Sequence, residues 1–283
     1  MHSHGGLLRV ENGMAPVRLD GTKISKIEQF AAKMLQGFMG FHPCIGARSI
    51  SASSSFYMCV MGKMNGVEAA VRLVKNIQNY LEEYEKNPDN LTTLISCFPS
   101  AYHSSQQEFA REYWELMQLM HDYDGLLHDY DSEVSRDPTD KMFLPSFCGR
   151  AFFTTTLNPN SERLARRSPF PTWVWNQKRQ FDALKEGKVY DRWQQSIRKW
   201  DADFDPSSKP NPALSDFGKV SAASELPGFK IEPCPFQPNN TEQERMSAGV
   251  QLVKRAKQHP LLAGEIKAAL EQLQAIPEPP TSR

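Results

Sequence analysis

The sequence predicts an α+β fold: a single domain with a mixed, mostly antiparallel sheet packed by several helices, plus a helical appendage at the C-terminus. Three observations predict it. Apolar positions recur at helical spacing in several separate stretches. Short β-branched and aromatic runs, bounded by Gly or Pro, stand between them. The two kinds of segment do not alternate regularly, as a doubly wound parallel sheet would require. Composition agrees, since 283 residues that are 40% hydrophobic and 23% charged suit a globular chain with ample length for a core.

Residues 1–20 lack periodicity and read as a mobile lead. From Ile24 the positions Ile27, Ala31, Met34, Leu35 and Phe38 mark a helix that Gly40 and Pro43 end. Ser55–Met61 (SFYMCVM) reads as a buried strand. Asn65-x-x-Glu68 has the form of a capping box, opening a helix with Val67, Ala70, Val71, Val74, Ile77 and Leu81 on one face. Leu91–Phe98 is a second strand. Ser105-x-x-Glu108 caps the next helix, whose stripe is Phe109, Tyr113, Leu116, Met117 and Met120.

Met142–Leu157 predicts a hairpin with Gly149 at its turn, and Trp173–Trp175 a short strand. Gln177–Lys185 is helical up to Gly187, and Val189, Trp193, Ile197 and Trp200 define another helix. Pro206–Pro238 is proline-rich and aperiodic, which predicts a segment that drapes over the surface or covers a cleft. Thr241-x-x-Glu244 starts a polar helix, and Pro260 separates it from a last one. The main domain is therefore placed at 21–239 and the appendage at 240–283.

Charge and cysteine content narrow the function classes. Thirty-three basic residues balance 33 acidic ones, which argues against a strongly basic nucleic-acid binder. No apolar run approaches the roughly 20 residues that cross a bilayer, and no leader pattern is visible at Met1, so a cytoplasmic protein without membrane partners is expected. Five dispersed cysteines without a C-x-x-C pair argue against a disulfide framework. Dinucleotide, P-loop, G-x-S-x-G and H-E-x-x-H signatures are all missing.

Three places stand out as candidates for chemistry. The tetrapeptide HDYD occurs at His121 and again at His128, and on a continuous helix the two histidines would share one face. Imidazole and neighbouring carboxylates suit iron, copper or zinc, although Gly125 argues against continuity and an acidic, solvated helix end accounts for the repeat as well. His121 flanks the apolar stripe, where it either faces a cofactor or is a hydrogen-bonded core histidine. Arg163, Arg166 and Arg167 form a cluster that suits an anionic ligand or a solvated basic turn. The connection Pro43–Arg48 contains Cys44, Gly46 and Arg48, and is either a simple turn or the wall of a cleft.

The motifs FHPCIGAR (Phe41–Arg48), EFAREYWELMQLMHDYD (Glu108–Asp124), SFCGRAFF (Ser146–Phe153), NPNSERLARRSPFPTWVWNQKRQFDAL (Asn158–Leu184) and NPALSDFG (Asn211–Gly218) stand in an order and spacing that resembles the YqcI/YcgG family. Members with an assigned function are haem proteins that use dioxygen to N-hydroxylate guanidine-bearing amino acids in natural-product biosynthesis. The resemblance implies a monooxygenase acting on L-arginine or a derivative, with haem b, dioxygen as co-substrate and an external electron donor such as a separate reductase. A homodimer is compatible with it.

The same resemblance implies His121 as the axial iron ligand, with Cys44 or His42 as rivals, since a thiolate would favour O–O cleavage. Asp124, or Asp122, would orient the imidazole or meet the cationic substrate, and Arg166 and Arg167 would pair with the haem propionates; Arg48, read from the Pro43–Arg48 turn, is expected to point into the cleft. Two alternatives remain open: a non-haem metal oxygenase built on His121, His128 and the flanking aspartates, and a non-catalytic haem carrier or sensor.

Overall fold

The computed structural model describes residues 6–11, 14–44, 46–48, 55–88, 91–138, 140, 142–188, 190–206 and 236–275. Among these, seven strands form one sheet in the order β2-β1-β3-β4-β7-β6-β5. They are β1 (Leu7–Glu11), β2 (Val17–Arg18), β3 (Ser55–Val60), β4 (Leu94–Cys97), β5 (Ser146–Phe147), β6 (Arg150–Leu157) and β7 (Thr172–Gln177). β3 and β4 run parallel, and the other neighbouring pairs are antiparallel. A parallel pair needs a crossover, and helix α2 (Gly66–Tyr84) supplies it. The mixed, mostly antiparallel sheet of an α+β domain is therefore present.

Side chains alternate between the two faces of the sheet. Leu7, Tyr57, Cys59, Leu94, Trp173 and Trp175 join the apolar layer formed with α2 and α3 (Gln106–Asp124). Leu8, Val10, Phe56, Met58, Ile95 and Cys97 join the layer under α1 (Lys26–Gly40). Burying the Trp175 ring leaves an indole N–H to satisfy, and Nε1 donates to Ser96 Oγ at 3.0 Å.

The N-terminal segment expected to be a mobile lead contains the edge of the sheet. β1 pairs with β3 over five residues, and Leu7, Leu8 and Val10 are fully buried. The strand is only five residues long: Leu7 and Leu8 are buried on opposite faces, and the alternation is confined to Leu8–Glu11, with Arg9 exposed, which is too short to read as a period.

Helix starts follow local chemistry. Ser25 and Glu28 form a complete capping box on α1, and Thr241 and Glu244 form another on α6 (Glu242–Arg255). Ser105 accepts from the Glu108 N–H, but the Glu108 carboxylate turns to Ser104 instead. Asn65 stands at the N-cap of α2 without a side-chain cap bond, contrary to the box its sequence suggests. Gly187 caps α4 (Lys178–Glu186), and α5 (Tyr190–Phe204) follows.

The C-terminal pair α6 and α7 (Pro260–Gln274) does not stand apart from the domain. Leu252, Ala256, Ile266, Ala269, Leu270 and Leu273 belong to the same apolar cluster as α2 and α3. At the closest approach an added Cβ on Gly249 would lie 2.6 Å from Leu270 Cδ2 and 2.9 Å from Leu126 Cδ2. Most of the proline-rich segment, including the motif at 211–218, lies outside the described residues.

Candidate functional site

α3 carries His121, Asp122 and Asp124 on its last turn and stops at Gly125, whose N–H donates to His121 O at 2.9 Å. The helix therefore does not run on to His128, and the two HDYD repeats have different surroundings. The first lies on the helix. The second lies in the turn beyond it and docks that turn onto the β5–β6 hairpin. Tyr130 Oη donates to Leu144 O at 2.6 Å, and Asp131 Oδ2 accepts from Ala151 N at 2.9 Å.

His121 is 5% exposed and packs against Phe236 and Tyr130, with ring centroids 4.9 and 5.8 Å away. Its Nε2 accepts the backbone N–H of Asn239 at 3.0 Å, so the neutral ring carries its proton on Nδ1. Burial, with Arg136 and Arg245 nearby, pushes its pKa down to about 4. Residues Phe236–Asn240 cover this histidine and are themselves tied to α3. Gln237 exchanges two hydrogen bonds with Gln118, and Asn239 Nδ2 donates to Asp122 Oδ1 at 2.9 Å.

Asp124 lies on the neighbouring face. Its Oδ1 accepts from His128 Nδ1 and from the backbone N–H of Cys148, each at 2.9 Å. The hydrogen bond to Asp124 raises the pKa of His128, while burial pushes the Cys148 thiol well above its usual range. Cys148 and Gly149 are the two turn residues of the β5–β6 hairpin, with φ of 53° and 69°. Both positive values match the mirror-image turn that twists with its strands.

Beside this cluster a groove of about 750 Å³ runs between the second HDYD and the start of α4. Acidic Asp129, Asp131, Glu133 and Asp182 line it together with basic Arg150, Lys178 and Arg179.

The other sequence-predicted residues lie with α1, on the opposite side of the sheet. His42 Nε2 donates to Ala165 O at 2.7 Å, and its Nδ1 accepts from Cys44 N at 3.0 Å. Both ring nitrogens are thus committed to backbone, and burial pushes this histidine too down to about 4. Cys44 is half-buried. The Arg48 guanidinium stacks over Trp200 at 4.6 Å rather than entering a cleft. Arg167 Nε donates to Ser161 O at 3.0 Å, and Arg163 pairs with Asp201 at 2.6 Å. Arg166 lies close enough to His42 to lower its pKa.

The structure thus brings His121 and Asp124 together, and Cys44, Arg48, Arg166 and Arg167 into a separate region. The sequence does not single out Cys148 as a functional residue. Its only signal was a Cys-Gly pair where a hairpin turn favours Asn-Gly.

The family model for YqcI/YcgG matches residues 30–236. The chain belongs to the YqcI/YcgG family. That span holds the sheet from β3 onward, most of α1, α2 to α5, and every site residue described above except Gln237, Asn239, Asn240 and Arg245. No curated protein and no solved structure matches the chain. No helix among the described residues is long and apolar enough to cross a membrane.

Proposed function

We propose that this YqcI/YcgG protein N-hydroxylates the guanidino group of L-arginine or an arginine-derived amino acid, using dioxygen and electrons from a separate reductase. Family membership is the observation that carries this reading. A cytoplasmic location and a natural-product pathway are parts of the same proposal. The groove beside Asp124 supports it by chemistry, because carboxylates suit a guanidinium and arginines suit an amino-acid carboxylate.

Haem b is the cofactor this reading carries, supplying iron that activates dioxygen. At His121 the side chains as they stand do not fit it. The cavity there is only about 10 Å³, Asn239 occupies the Nε2 lone pair, and Phe236 covers the ring. Arg166 and Arg167, assigned to the propionates, lie with α1 across the sheet. The haem half of the proposal therefore rests on family membership and not on the geometry at His121. A second reading, a non-haem metal enzyme, is favoured by one observation: the approach of Asp124, His128 and Cys148.

The test is reconstitution of the full chain with haem b, followed by reductant, dioxygen and L-arginine. A Soret band, a positive pyridine haemochrome and a product heavier by one oxygen atom are expected. Absence of both haem and hydroxylated product overturns the proposal.

A further inference from the structure

We propose that Asp124, His128 and Cys148 form a binding site for one divalent first-row metal ion of borderline softness, with Zn²⁺ as the reference ion. The site is separate from His121 and does not rest on the haem reading.

The three side chains each offer one ligand atom, and these atoms all lie within 4.8 Å of one another. Zinc bonds of about 2.0–2.3 Å in a tetrahedron need ligand atoms about 3.3–3.8 Å apart, so small side-chain shifts close the site. Carboxylate, imidazole and thiolate are the three ligand types zinc takes, and the sulfur disfavours Mg²⁺ and Ca²⁺. Asp124 is 4% exposed, unlike the solvated carboxylates that cluster on surfaces without binding anything.

Three separate elements converge here. Asp124 ends α3, His128 stands one turn beyond it, and Cys148 comes from the tip of the β5–β6 hairpin. The backbone N–H of Cys148 binds Asp124 Oδ1, which anchors the hairpin tip over the carboxylate before any ion arrives. Cys148 holds a left-handed backbone that Asn or Gly adopts more easily, so turn chemistry does not account for a cysteine at this position. His128 and Gly149 also line the neighbouring groove, so solvent or a small ligand can reach a fourth position on the ion. Three protein ligands with one open position is the arrangement of catalytic rather than structural zinc.

Binding forms the metal–sulfur bond as the thiol S–H bond breaks, and the thiol proton leaves to solvent. The imidazole binds through Nδ1, so the Nδ1 proton that it donates to Asp124 without the ion is given up, to solvent from the imidazolium or by tautomer exchange to Nε2 from the neutral ring; no electron moves. Metal affinity therefore rises with pH.

The experiment uses the full chain, stripped with a chelator and titrated with Co²⁺ and then Zn²⁺. One equivalent of Co²⁺ with tetrahedral d–d bands and a thiolate-to-cobalt charge-transfer band is expected, displaced by Zn²⁺. Cys148→Gly relieves the backbone strain while removing the ligand, so its folding is not in question, and it should lose the charge-transfer band. His128→Ala should weaken Zn²⁺ binding by more than about 100-fold, beyond the effect of an outer-shell change. No stoichiometric Co²⁺ in the parent, or a parent-like charge-transfer band in Cys148→Gly, overturns the proposal. The haemochrome and the N-hydroxylation assay report on the proposed function separately.

Discussion

Acidification should expose the two buried neutral histidines. His121 and His42 both have pKa values pushed down from 6.5 to about 4, chiefly by burial. As pH falls through about 6.5 the unfolded chain takes up a proton on each, whereas the folded chain resists until about pH 4. The unfolded state binds more protons across that window, so stability is full above it and falls as pH falls. At about 1.4 kcal/mol per pKa unit, each histidine should cost about 2 kcal/mol between about pH 7 and pH 5. His128 works in the opposite direction, because its pKa is raised by Asp124, but its partial exposure makes the offset smaller.

The assay is urea unfolding at about pH 7, 6 and 5, for the parent, His121→Gln and His42→Gln. Each variant should lose about 1 kcal/mol per pH unit of the parent's pH slope. The two losses should add, because the residues lie on opposite sides of the sheet and share no partner. A His121→Gln variant with the full parental slope would refute the reasoning, since it would mean that His121 titrates alike in both states.

Other expectations follow from particular contacts. Gly249→Ala should destabilise by about 1–3 kcal/mol, because its Cβ would meet Leu270 Cγ at 2.9 Å. Gly264→Ala, in the middle of α7 with nothing within 4 Å, should stabilise by about 0.5–1 kcal/mol. Thermal denaturation of both variants checks the contrast. Phe236→Ala should cost about 3–5 kcal/mol and move the His121 pKa from about 4 back toward 6.5, read by histidine NMR titration. Trp175→Phe leaves Ser96 Oγ without its indole donor and should cost about 1–3 kcal/mol in urea unfolding.

Local signals in the chain announced most of the elements. The stripes on α2 and α3 repeat at helical spacing because each helix lays one face on the sheet. Thr241 and Glu244 complete the box their spacing suggests, and the turn at Gly149 is where the hairpin reading puts it. Asn65 and Glu68 have the same box spacing without the Asn65 cap bond, because a side chain's reach depends on its rotamer as well as its position. β1 escaped because it is five residues long and opens with Leu7 and Leu8 buried on opposite faces, which leaves too short an alternation to read.

By itself the sequence determined what depends on neighbours a few residues apart: helix phases, strand runs, turn residues, and the ordered motifs of the YqcI/YcgG family. Only the tertiary structure decided which side chains meet. Asp124 and Cys148 are 24 positions apart and touch because the β5–β6 hairpin folds back onto the end of α3. His121 and Arg166 belong to motifs that the resemblance joins in one site, yet helix and sheet packing sends them to opposite faces. Periodicity records which face of an element is buried, not which element buries it, and chemical convergence is a property of the second.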